Sequence, residues 1–190
     1  MEKPDQMISY AEAAHEVELA CRRLGMLHLA YARTLVQQFG REQGEKLIMN
    51  AIKEYGKMVG EQTSQKVSEQ GLANEPQYFG EGQARSLPKL GLCEEVVHEN
   101  DQIKVKNCSM AKVWREFGEE DLGSLYCFID TAKYMYYNPN YKLTHVKAMP
   151  AHGTDYCQFE LEETTEQERA DFFANKDWRY LDKRMMKGSK

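Results

Sequence analysis

Residues Gly91–Met110 read GLCEEVVHENDQIKVKNCSM, and this stretch decides the fold. Ile103 and Val105 alternate with Lys104 and Lys106, the period-two pattern of a half-buried strand. Val96 and Val97 precede them, and Glu99-Asn100-Asp101-Gln102 supplies turn chemistry between the two runs. The stretch therefore predicts a β-hairpin.

Upstream the period is helical. Ser9 followed by Glu12 forms a capping box. Val17, Ala20, Cys21, Leu24, Leu27, Tyr31 and Leu35 then recur as one stripe up to Gly40. Gly25 interrupts that stripe. A second helix is predicted over 42–69, with Ile48, Ile52, Tyr55 and Val59 as its buried face. The short link predicts an antiparallel helical hairpin. Residues 71–88 carry Gly, Pro, Asn and Ser without periodicity, which reads as a linker or lid.

Downstream, a helix is predicted from Asp121 to Tyr136, stopped at Asn138-Pro139. A second hairpin follows around PAHGTD, where Gly153 can take a positive φ. Thr165 and Glu168 form another capping box, opening a predicted terminal helix through about Met186, with Phe172, Phe173, Trp178 and Leu181 as anchors. The predicted fold is α+β: an N-terminal helical hairpin (1–70), the linker (71–88), a β-β-α-β-β antiparallel sheet unit (89–163), and a C-terminal helix and tail (164–190).

Of the 190 residues, 42% are apolar and 29% charged, a globular balance that excludes wholesale disorder. The net charge of −5 gives no basic footprint for nucleic acid. MEKPDQMISY has no apolar signal region and no run is long enough to span a bilayer, so a cytoplasmic protein is expected. In that reducing compartment Cys21, Cys93, Cys108, Cys127 and Cys157 are expected as thiols, ligands or nucleophiles. The chain has no CxxC, HExxH, GxGxxG or Walker-type loop, and no cofactor is predicted.

On the helix from Asp121, Leu122, Leu125, Ile129, Ala132 and Tyr136 form a stripe expected to pack on the sheet. Cys127, Asp130 and Tyr134 fall on the other side, within side-chain reach of one another. A thiol is commonly a small buried hydrophobe. Spacing alone therefore leaves packing and chemistry both open. Cys157 shares parity with Phe159 and Leu161 and should point inward; Cys108 reads as a strand-end residue. Should the three thiols converge, zinc is a possible guest, with His98, His145 or His152 completing the set. His15 and His28 read as surface or edge residues of the first helix. Arg115, Lys104, Lys106 and Lys147 are candidate clamps for a substrate carboxylate.

Three pieces taken in order carry a resemblance: VKNCSMAKVWREFG, LGSLYCFIDTAKYMYYNPN and GTDYCQFEL. Together they resemble the L-2-amino-thiazoline-4-carboxylic acid hydrolase family. Its pattern is a helical N-terminal part, a cysteine ending a strand, a helix with C-x-x-D, an N-P, and a late G-D-x-C-x-F strand. The matching positions are Cys108, Cys127, Asp130, Asn138, Pro139, Gly153, Asp155, Cys157 and Phe159. The late motif departs by one extra residue, Thr154, between glycine and acid.

The resemblance implies a small-molecule substrate: ring-opening hydrolysis of an L-2-aminothiazoline-4-carboxylate to N-carbamoyl-L-cysteine. Cys127, Asp130 and Cys157 would be the catalytic set, and Tyr134, Asn138, Asp155 and Cys108 the substrate contacts. Cys127 would attack as a thiolate of lowered pKa, or Asp130 or Asp155 would act as general base on water. Two further readings share some of these features. The element order is similar to 4-vinyl reductase-like domains, which implies a small-molecule or metal sensor. The Cys-x-x-Asp with a distant thiol is similar to organomercurial lyases. The long N-terminal stripes also suggest a homodimer face; no nucleic-acid or membrane partner is expected.

Overall fold

The computed structural model of the chain describes residues 7–80, 85, 87, 88, 90–99, 102–148, 153–174 and 176–184, with the backbone alone at 98 and 99. Two long helices, α1 (Tyr10–Phe39) and α2 (Arg41–Glu69), open it. The Ser9–Glu12 capping box forms as expected, the Ser9 amide donating to Glu12 at 3.0 Å. Gly40 separates the helices at φ 78°, in the region that favours glycine.

The hairpin strands follow: β1 (Glu95–Glu99) and β2 (Gln102–Lys106), paired from Val96 opposite Val105 to Glu99 opposite Gln102. The expected turn residues Asn100 and Asp101 lie outside the described residues. Next come α3 (Ser109–Glu116), α4 (Glu120–Ser124), a 3₁₀ turn (Leu125–Phe128) and α5 (Ile129–Tyr137). β3 (Tyr141–Lys147) and β4 (Tyr156–Glu163) form the second hairpin, with Gly153 at φ 62°. After β4 come α6 (Glu166–Phe173) and a 3₁₀ turn (Arg179–Leu181). The antiparallel sheet runs β1-β2-β4-β3. The fold is α+β, as expected. No helix among the described residues is long and apolar enough to cross a membrane.

The predicted α1 stripe is corrected. The buried residues are Cys21, Gly25, Leu29 and Ala32, whereas Leu24, Leu27 and Tyr31 are exposed. Gly25 is the reason. It lets α1 lie against α3, where a Cβ would already touch the Met110 backbone, and its carbonyl accepts the Trp114 indole N–H at 3.3 Å. The glycine marks a helix crossing and leaves α1 unbroken. On α2, Ile48 and Ile52 are buried as predicted, but Tyr55 is exposed.

The helix expected over Asp121–Tyr136 is three pieces, because Leu125–Phe128 is wound as a 3₁₀ turn. A 3₁₀ turn advances about 120° per residue, so it shifts the phase of everything after it. The apolar stripe then faces α2 and not the sheet. A Cβ at Gly56 would overlap Ala132, and one at Gly60 would overlap the Lys133 carbonyl. Gly56 and Gly60 lie one turn apart and bring the α2 and α5 backbones together. The opposite side of α5 meets the sheet, where Thr131 Oγ1 donates to the Leu143 carbonyl at 2.8 Å.

The terminal helix stops at Phe173, short of its predicted end. Asp177 terminates the run locally, accepting from the Arg179 amide at 3.1 Å and its guanidinium at 2.6 Å. Phe172, Trp178 and Leu181 are buried anchors as expected; Phe173 is exposed.

His28 also departs from its surface reading. It packs 5.5 Å from Tyr126 and 6.0 Å from Trp114, and its Nε2–H donates to the Leu122 carbonyl at 3.0 Å. Burial lowers its pKa from 6.5, more than the Leu122 bond raises it. The unfolded chain therefore binds the proton more readily. Stability from neutral His28 is complete above about pH 6.5 and falls as pH drops below it. The melting temperature should fall between pH 7.5 and pH 5, and His28→Gln, which keeps an N–H for Leu122, should fall less.

Candidate functional site

One face of the sheet is built from alternate residues of all four strands. Ile103 and His145 flank Phe159 in one row; Val96, Val105 and Cys157 form the next. α5 covers the β3 side of this face. Between them lies a cavity of about 400 Å³. Val96, Ile103, Val105, Leu143 and Phe159 line it from the sheet, and Asp130, Lys133 and Tyr134 from α5. Phe79, Leu87 and Pro88, from the segment expected as linker or lid, complete the wall, and Phe79 stacks on Tyr134 at 4.1 Å.

Arg85 and Cys93 line the cavity as well, and Asp130, Lys133 and His145 come together at the β3 end. Lys133 Nζ donates to Asp130 Oδ1 at 2.5 Å, one helical turn apart. His145, fully buried, has Nε2 3.5 Å from Asp130 Oδ2, and that nitrogen makes no hydrogen bond within the described residues. Its other nitrogen, Nδ1, lies 2.7 Å from Asp182 Oδ2. Asp182 also accepts from the backbone N–H groups of His145 and Arg184. Burial pushes the Asp182 carboxyl up, but Arg184 and His145 outweigh it and hold the group below the usual carboxylate range. Asp182 is thus ionised near neutral pH and must accept. Nδ1–H then donates to Asp182, and Nε2 is the ring nitrogen that faces Asp130.

Arg184 lies behind this row. Its guanidinium sits 3.8 Å over the Phe128 ring, and Nη1 donates to the Ser124 carbonyl at 3.0 Å. Nε and Nη2 make no hydrogen bond within the described residues.

All five cysteines are thiols, none in a disulfide. Cys127, Cys157, Cys108 and Asp130 share one electrostatic neighbourhood. Burial pushes the Cys127 thiol well up, against the opposing pull of Arg184, and its acidic neighbours push it further. The lowered pKa that thiolate attack requires is absent from its surroundings. Cys157 is buried on the sheet face, as its parity predicts. Cys108 is the N-cap residue of α3 and not merely a strand end. Burial raises its thiol more than the amides of Ala111 and Met110 lower it.

Asp130 and Tyr134 therefore share the cavity wall, and Cys127 is not among its lining residues. Asn138 is engaged elsewhere, donating to the Asn74 carbonyl at 2.7 Å and accepting from the Asn140 amide at 3.0 Å. Asp155 is exposed, and its carbonyl accepts from Asn107 at 3.1 Å. Among the proposed clamps, Lys106 pairs with Glu95, Arg115 donates to the Thr154 carbonyl, and Lys147 donates to the Tyr156 hydroxyl. Two other cations line the cavity, Arg85 and Lys133; sequence reasoning passed over both, although the spacing of Lys133 from Asp130 was visible. Asp182 and Arg184 carried no local signal.

No three His, Cys, Asp or Glu side chains among the described residues stand where they could hold a metal ion. The His98 side chain and His152, named for zinc, lie outside those residues.

Comparison with known proteins adds one match. A model of the L-2-amino-thiazoline-4-carboxylic acid hydrolase family covers residues 22–161. No curated protein and no solved structure matches the chain. The match takes in α5 and both hairpins, and hence Asp130, Lys133 and His145, while Asp182 and Arg184 fall beyond it. With most of its length covered, the chain belongs to the L-2-amino-thiazoline-4-carboxylic acid hydrolase family.

Proposed function

We propose that this chain hydrolyses a cyclic amidine of the 2-amino-thiazoline-4-carboxylate type. The observation that carries the reading is Asp130, a carboxylate on the cavity wall between a lysine and the open nitrogen of a buried histidine. The substrate is a zwitterion, cationic at the amidine and anionic at the carboxylate. The Asp130–Lys133 pair is its mirror image in charge, and each group can exchange its internal partner for one on the ligand.

Water adds to the carbon between ring nitrogen, ring sulfur and exocyclic nitrogen. Asp130 takes the water proton as general base. His145 Nε2 takes it from Asp130 in turn, and ionised Asp182 stabilises the imidazolium that forms. The carbon–sulfur bond then breaks and sulfur leaves with the bonding pair. The proton returns through Asp130 to the sulfur, the hydroxyl of the adduct gives up its proton to solvent, and the carbon becomes the carbonyl of an N-carbamoyl-cysteine. One water is consumed and no redox partner is needed.

Cys127 stays protonated in this scheme and acts as wall. The test is thiol release from L-2-aminothiazoline-4-carboxylate, one thiol per turnover. Cys127→Ser should keep kcat within about threefold. A complete loss in folded Cys127→Ser would move the attack to the thiol, and no release by the parent protein at saturating substrate would overturn the reading.

A further inference from the structure

We infer that the substrate of this cavity carries an apolar arm several carbons long, attached to the polar head that Asp130 and Lys133 receive. The inference rests on the hydrolase reading for the head and on the cavity's shape for the arm. Asp130 and Lys133 stand at the β3 end, where Asp130 approaches His145, while Arg85 and Cys93 line the cavity from the segment before β1 and not from the sheet. From there the wall crosses the whole sheet, through Phe159 on β4 and Ile103 and Val105 on β2 to Val96 on β1. Three strand spacings of about 4.8 Å make that run about 14 Å long.

A simple aminothiazoline carboxylate, with roughly nine non-hydrogen atoms, fills only the polar end of such a cavity, whose volume lies in the range that takes much larger ligands. Beyond the head, the strand residues offer hydrocarbon alone. Val96 at the far end is half exposed, an apolar strand residue that a ligand arm would cover. Nothing in that part of the sheet wall would reward a second charge.

The test is a series of aminothiazoline carboxylates bearing hydrogen, ethyl, butyl or hexyl on the ring, run beside alkylamidinium ions that cannot be hydrolysed. kcat/KM should rise about fourfold per buried methylene. Dissociation constants of the amidinium ions, by calorimetry, should fall in parallel. Val96→Asp lies outside the polar head. It should weaken the hexyl compounds at least tenfold more than the unsubstituted one. Equal or better turnover of the unsubstituted compound, with no chain-length trend in binding, overturns the arm and leaves the hydrolase reading standing. A chain-length trend in binding that Val96→Asp abolishes, without turnover of any compound, upholds the arm and removes the hydrolase reading.

Discussion

Asp130→Asn should lower kcat by about a hundredfold to ten-thousandfold, the range expected when a positioned general base is lost. Asparagine keeps the size of the side chain and an acceptor for Lys133, so the cavity keeps its shape. What disappears is the ability to hold the water proton and pass it to His145 Nε2, 3.5 Å away. KM should rise as well, because the amidine loses its counter-charge. Lys133 is buried, and a buried cation without its partner costs about 3–5 kcal/mol. The control is therefore the double variant Asp130→Asn, Lys133→Gln, which removes both charges together. It should regain most of the lost melting temperature and none of the lost turnover. Turnover within tenfold of the parent in either folded variant would remove Asp130 from the chemistry.

Gly60→Leu should be among the most destabilising single changes outside the cavity. A Cβ there already overlaps the Lys133 carbonyl and lies 2.8 Å from the Tyr136 Cβ. Backbone cannot move aside as a side-chain tip can, so α2 and α5 must separate. Overpacking of this kind costs about 1–3 kcal/mol and sometimes more. For a chain of this size that lowers the melting temperature by about 3–10 °C. Because Lys133 supplies the obstructing carbonyl, its ammonium should shift and KM should rise even below the melting transition. Gly71→Leu is the comparison: Gly71, unlike the helical Gly60, has a positive φ, and no neighbour lies within 4 Å of an added Cβ. It should show only the backbone strain. Equal melting temperatures for the parent and Gly60→Leu would remove the close helix contact from the account.

The elements were legible wherever local chemistry set them. Two capping boxes, the strand alternation and Gly153 each stated a local preference, and each held. The phase errors arose where long-range packing decided the outcome. Gly25 seemed to interrupt a stripe, whereas it marks the crossing with α3 and rotates the buried face of α1. Gly56 and Gly60, spaced by four, were the readable sign that α5 packs on α2. The Cys-x-x-Asp pair was visible, but the 3₁₀ turn that holds Cys127 was not, and the change to α-helix at Ile129 puts the acid on the cavity wall and leaves the thiol off it. His145 was noticed as a ligand candidate. Its role as a neighbour of Asp130 depends on Asp182, 37 residues further along, which no period or motif connects to it.

That separation also sets an order of assembly during synthesis. Asp130 and His145 leave the ribosome before the residue that fixes the imidazole. At elongation rates of about 5–20 residues per second, the 37 residues between His145 and Asp182 take about 2–7 s to make. For that interval the nascent chain can hold a hairpin and a helix, but not an oriented proton relay.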